Sequence, residues 1–225
     1  MFLQINFMVY CHTVNRGRKS LEGYMKFIIQ FLQTNVITKT FMYWYLRLLF
    51  ETYRLQVVDE VGGEIPFNSR PGVYYLWHEH AIAGLYFLHT QGVFGHLISD
   101  ETIEGKLAGF AARKLGLHVM YSTGKISFAK KILEVLDMNK RLFVVGDGTY
   151  GPAHELQREI PYMCARSGVP LVYIECRAST ALALAKRWDK LKVPLPFSTI
   201  TITLHSPCHY VFNEQHEVVE QDSEK

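Results

Sequence analysis

The chain has 225 residues and a mass of 26.0 kDa, enough for one domain with an extension, because two independent cores would each fall near the small end of the usual range. Hydrophobic residues make up 48% and charged residues 20%, which excludes disorder, collagen-like repeats and low-complexity scaffolds as whole-chain readings. The net charge of +3 is too weak for a protein that gains affinity by neutralising phosphates, so no nucleic-acid partner is expected.

Residues 1–57 hold seven basic residues against two acidic ones, a segment charge of +5 that leaves −2 for the remainder. No secretory signal is evident at Met1 to Tyr10, which lacks a basic flank before it and a small-residue cleavage site after it. The apolar stretches Phe27 to Thr38 and Thr40 to Leu46 are interrupted by Lys39 and ended by Arg47, short of the roughly 20 residues that a spanning helix needs. From Lys39 to Val57 the sequence predicts an aromatic-rich helix with Arg47, Glu51 and Arg54 on one face. Its broad apolar face either packs on the core or lies at a lipid interface, with Tyr and Trp at headgroup depth. Residues 1–57 are therefore expected to form an N-terminal, amphipathic, membrane-associating helical segment.

Beyond Pro66, short β-prone runs alternate with helical patterns: Val73 to Trp77, Val93 to Ile98, Leu117 to Tyr121, Leu142 to Val145 and Val169 to Ile174, then Thr199 to Leu204. Between them, Ile103, Leu107, Phe110 and Ala111, and then Ala129, Ile132, Leu133 and Leu136, recur at helical spacing. This predicts an α/β domain over residues 58–212, with a mixed, mostly parallel sheet covered by helices. Residues 213–225 carry Glu214, Glu217, Glu220, Asp222 and Glu224 against Lys225 and read as a solvated acidic tail. Cys11, Cys164, Cys176 and Cys208 form no CxxC pair, so free thiols are expected rather than a disulfide framework or structural zinc.

Ligands of such sheets bind beyond the carboxyl ends of the strands, and polar clusters follow four consecutive strands. These are His78-Glu79-His80, Ser99-Asp100, Ser122-Thr123-Gly124-Lys125 and Gly146-Asp147-Gly148-Thr149. A histidine entering a helix is favoured as the neutral imidazole that a general base requires, and His78 is the better candidate. A zinc ion shared by His78 and His80 would need further ligands, none follows at credible spacing, and no metal is expected. The three glycines around Asp147 allow close backbone approach to a phosphate, yet their spacing fits neither the P-loop nor the dinucleotide fingerprint.

The ordered motifs WHEH, ISDETIEGKLAGFAARKLGLHV, YSTG, LFVVGDGTYGPA, ARSGVPLVYIECRAS and RWDKLKVPLPFSTITITL resemble a bacterial branch of the lysophospholipid acyltransferase-like superfamily over roughly Tyr45 to Tyr210. The resemblance implies an α/β domain at a membrane surface, peripheral on the cytoplasmic face of the inner membrane. It also implies transfer of an acyl chain from acyl-CoA or acyl carrier protein to a hydroxyl of a lipid acceptor, with no bound cofactor. By position His78 matches the base, Glu104-Gly105 an acidic-Gly pair, and Asp147-Gly148 a loop that holds the acceptor's phosphate-bearing head.

Two departures accompany the resemblance. The superfamily places an orienting Asp five residues after the histidine, where this chain has Ala83, so the acid is either absent or supplied by Glu104, Asp100 or Asp147; the related loop commonly carries arginine where this chain has Tyr150, leaving Lys125, His154 or Arg158 as substitutes. The expected catalytic set is His78, Glu104 and Asp147, and the expected substrate-binding set is Ser122, Thr123, Lys125, Gly148, Thr149 and Arg158. A catalytically silent lipid-binding relative and a metal-dependent hydrolase using His78 and His80 are the alternative readings.

Overall fold

A computed structural model describes residues 36–59, 71–92, 95–122, 124–138, 140–148 and 150–221. The chain divides into two compact units, Met1–Met42 and Tyr43–Lys225. Of the first, only the opening turns of helix α1 (Val36–Thr52) lie among the described residues. What the sequence predicts for 1–35, including most of the basic charge of residues 1–57, falls outside them.

Helix α1 stops at Thr52, whose hydroxyl donates to the Leu49 carbonyl at 2.6 Å. The chain then forms strand β1 (Arg54–Asp59), a correction to the helix expected as far as Val57. The physical reason is period-two alternation: Leu55 and Val57 pack against the core while Arg54, Gln56 and Val58 face outward. Arg54 accordingly leaves the helical charge stripe, which reduces to the Arg47–Glu51 pair at 3.1 Å. A boundary between residues 57 and 58 falls inside this strand; the larger compact unit begins at Tyr43.

The elements that follow alternate as the sequence predicts: β2 (Gly72–Leu76), a 3-10 turn (His78–His80), α2 (Ala81–Thr90), β3 (His96–Asp100), α3 (Ile103–Lys114), β4 (His118–Ser122), α4 (Gly124–Asp137), β5 (Arg141–Val145), α5 (Glu159–Ser167) and β6 (Leu171–Ala178). A short hairpin, β7 (Ala181–Ala183) with β8 (Lys192–Pro194), precedes β9 (Thr199–Leu204), and a second hairpin joins β10 (His209–Phe212) to β11 (Val218–Gln221). Strand β11 occupies part of the segment read as a tail; its residues are largely exposed, but they pair with β10 from Val218 to Gln221.

The central sheet has seven strands in the order β1-β9-β6-β2-β5-β3-β4. Every pairing is parallel except β6 with β9. This is an α/β fold with a mostly parallel sheet, and both faces are covered, as parallel strands require. Alternation along β2 shows the two layers: Val73 joins Ile132, Val135, Ile160 and Met163 of α4 and α5, whereas Tyr74 joins Phe50, Ala83 and Phe87 of α1 and α2. Strand β2 lies at the centre of the sheet, so the turn after it emerges over the middle of the carboxyl edge. Cys164 and Cys176 are free and buried, and burial pushes both thiols up to about 12.

Candidate active site

Two loops meet over the carboxyl edge. One is Trp77 to His80, leaving β2; the other begins at Gly146, leaving the adjacent β5. Gly146 donates its N–H to the Leu76 carbonyl at 2.8 Å and accepts from Gln157 N–H at 2.9 Å, which fixes the loop at both ends. Asp147 is buried, with 1% of its surface exposed. Its Oδ1 accepts the backbone N–H of His78 at 3.0 Å, and its Oδ2 accepts the backbone N–H of His154 at 3.3 Å. The carboxylate therefore staples the two loops through backbone donors.

The His78 ring is held differently. Its Nδ1 lies 2.9 Å from the carbonyl oxygen of Gly148. A carbonyl oxygen only accepts, so Nδ1 carries the proton, and in the neutral ring Nε2 is the free acceptor. Gly148 has φ of +63°, and a Cβ there would fall 1.8 Å from Nε2 of Gln157. The left-handed conformation favours glycine, while the contact is with the flexible end of a side chain that can turn aside. The carbonyl of Gly148 thus stands where a side-chain carboxylate was expected. Asp147 touches His78 only through the backbone N–H, so among the carboxylates considered for orienting the ring it does not hold it.

Asp100, at the end of β3 and two strands from β2, binds the N–H and hydroxyl of Thr102, the N-cap of α3, through Oδ1. Glu104 lies in the first turn of α3 and Lys125 in the first turn of α4; their side chains, and Thr123 and Thr149 altogether, lie outside the described residues. Ser122 is buried at the end of β4, three strands from β2 and so roughly 14 Å across the sheet; it is not brought to His78. Arg158 is an exposed N-cap of α5 next to Gln157.

Other residues gather here without having been expected. Trp188 stands edge-on to the His78 ring, with centroids 5.4 Å apart. Its neighbour Asp189 is buried and accepts two hydrogen bonds from Arg187 at 2.9 Å each, and one from Leu191 N–H at 3.1 Å. Burial alone would raise its pKa, but these donors outweigh burial and hold the carboxyl below its usual range. Glu79 faces away from His78 and contacts His80 at 2.8 Å, His154 at 3.2 Å and Lys192 at 3.0 Å. Burial opposes its charge, yet the Lys192 hydrogen bond and the neighbouring His80, Lys192 and His154 side chains hold its pKa low. Burial, only partly offset by Glu79, pushes His80 down and favours its neutral form.

A cavity of about 510 Å³ opens beside this cluster, lined by Glu79, His80, Ala83, Glu175, Arg177 and Lys192 together with small residues of β6, β7 and β8. Its size suits a ligand headgroup or a short acyl segment. His78 borders the neighbouring surface under Trp188 rather than the cavity itself. His78 and His80 have different partners and share none, so the pair does not form the common site that a hydrolase reading needs. Among the described residues no group of three or more His, Cys, Asp or Glu is arranged to hold a metal ion.

The signals for Trp188, Asp189 and Lys192 were in the RWDKLKV run already quoted, which periodicity alone reads as a loop. Comparison with known proteins gives one curated relative and one solved structure of interest. The chain is 31% identical over 196 residues to the uncharacterized protein RP090 of Rickettsia prowazekii (strain Madrid E), covering 84% of this chain and 87% of that protein. It belongs to the same family as that protein. A crystal structure of the 1-acyl-sn-glycerophosphate acyltransferase PlsC from Thermotoga maritima aligns with a TM-score of 0.49 and 13% identity, over 90% of this chain and 84% of that one. No family model matches.

Proposed function

We propose that the protein is an acyltransferase that moves a fatty acyl chain from a thioester donor, acyl-CoA or acyl carrier protein, to a hydroxyl of a lysophospholipid-like acceptor at a membrane surface. The observation that carries this reading is the His78 imidazole, with Nδ1–H committed to the Gly148 carbonyl and Nε2 left as an acceptor. In the proposed reaction Nε2 takes the proton of the acceptor hydroxyl as its oxygen bonds to the thioester carbonyl carbon. The carbonyl electrons move to oxygen, return, and break the C–S bond, and the imidazolium returns its proton to the departing thiolate. Both substrates bind together, so no covalent enzyme intermediate is needed.

The Asp147 staple supports the reading, since it holds the catalytic turn against the glycine loop with a buried, doubly accepting carboxylate. The cavity beside Glu79 opens on the His80 side of the same turn. Among the described residues no helix is long and apolar enough to cross a membrane; attachment is proposed to be peripheral, on the cytoplasmic face of the inner membrane. The test is incubation of the purified protein with acyl-CoA or acyl carrier protein thioesters and a panel of lysolipids, read by lipid mass spectrometry. Formation of a diacyl product with release of free thiol is expected. Vesicle binding with no transfer to any acceptor would favour the silent lipid-binding relative, the reading to which Ala83 and Tyr150 point.

A further inference from the structure

The β7–β8 hairpin and the turn after it carry a surface that folding does not explain. Leu182, Leu184, Trp188, Leu195 and Phe197 are all exposed, Leu182 by 57% and Phe197 by 79%. Phe197 also has φ of +65°, a left-handed conformation that costs a bulky residue strain and that glycine would adopt freely. An exposed aromatic ring on strained backbone points to a role outside the fold. Exposed Lys186 and Lys190 flank the apolar side chains at the hairpin tip.

The patch continues onto α1. Phe197 donates its N–H to Thr52 Oγ1 at 3.2 Å, and Thr52 ends the stripe Trp44, Leu48, Thr52, spaced four apart on one helical face. Trp44 and Leu48 are exposed, with Tyr45 beside them. Apolar side chains interleaved with Trp, Tyr and Lys suit a bilayer interface, whereas the core of a protein–protein interface is depleted in lysine. We infer that this hairpin, continuous with the outer face of α1 from Trp44 to Thr52, is a docking surface for an anionic lipid bilayer. Trp188 at its tip also covers the His78 ring, so the surface that meets lipid is the one that shields the proposed base.

The inference rests on the peripheral attachment proposed above and names the surface that makes it. Its test reads binding without turnover, so that loss of binding in the hairpin variants is separable from loss of acyl transfer. Intact protein is sedimented with phosphatidylcholine vesicles prepared with and without phosphatidylglycerol, as wild type, Phe197→Gly, Leu182→Gln and Lys186→Gln/Lys190→Gln. Phe197→Gly relieves a strained φ, so it should unfold at the same temperature as wild type or higher, yet partition about tenfold more weakly. The lysine pair should lose about fivefold per residue, and only on vesicles containing phosphatidylglycerol. Failure of the wild type to bind vesicles, or wild-type binding by the folded hairpin variants, overturns the proposal. Unchanged vesicle binding with a lowered sedimenting mass would instead assign the patch to a second copy of the chain.

Discussion

The imidazole of His78 is oriented by a backbone carbonyl: its Nδ1 donates to the oxygen of Gly148, 2.9 Å away and 70 positions along the chain. The acceptor depends on the glycine through its φ of +63°, and any Cβ there would also have to push the Gln157 amide aside. Gly148→Ala should therefore displace the carbonyl and release the ring while leaving the rest of the sheet intact. The expected outcome is at least a tenfold fall in turnover, with a smaller change in KM and a near-native circular dichroism spectrum. A fully active, folded Gly148→Ala would detach the carbonyl from the mechanism.

Asp147 is predicted to matter for stability as well as rate. Asparagine would offer one carbonyl oxygen and one NH₂ where two N–H donors converge, leaving at least one buried donor unsatisfied. Asp147→Asn should lose about 1–3 kcal/mol in urea unfolding, the cost of an unsatisfied buried polar group. Equal midpoints for the two proteins would remove the staple from the account.

Much of this fold was legible because its elements are local patterns. The strands at Val73, Leu117, Leu142 and Thr199 and the helices between them announce themselves by period and by their glycines. Strand β1 was not, because Leu55 and Val57 follow a strong helical run and their partners, Ile200 and Ile202, lie about 145 positions away. In the site, His78 and the Asp147-Gly148 loop could be found from their place after strands. The orienting group could not, since a carbonyl is common to every residue and only the three-dimensional path of the loop selects one. The same limit hid Glu79, whose partners His154 and Lys192 come from distant parts of the chain.

The Glu79 cluster sets an acid-side prediction. Its folded pKa is lowered, so the unfolded chain binds the proton more readily. The associated stability is present above the ordinary carboxylate value of 4.5 and is lost as pH falls through the lower folded value. Glu79→Gln should flatten the acid limb of stability against pH, measured by urea unfolding at successive pH values. An unchanged limb would mean that the cluster contributes nothing to acid stability.

A second pH effect belongs to the amino end of the sheet. His96 is buried and stacks on His118 with centroids 4.8 Å apart, and its Nδ1 has no hydrogen-bond partner among the described residues. Burial first, then the His118 and Lys140 charges, lowers its pKa below 6.5. The unfolded state therefore gains the proton first, and stability falls as pH drops below 6.5 towards the folded value. His96→Phe should lessen that dependence without altering acyl transfer; an identical pH profile would contradict the assignment.

The most direct test of the central claim is turnover of wild type and His78→Ala with a thioester donor and an accepted lysolipid, with folding checked by circular dichroism and with His80→Ala as the parallel variant. Loss of a general base costs about 10²–10⁴-fold, so the account predicts a fall of that size for His78→Ala. His80→Ala, which removes an imidazole bonded to Glu79 rather than to the glycine loop, should retain most of the rate. A folded His78→Ala with near-wild-type turnover would contradict the account.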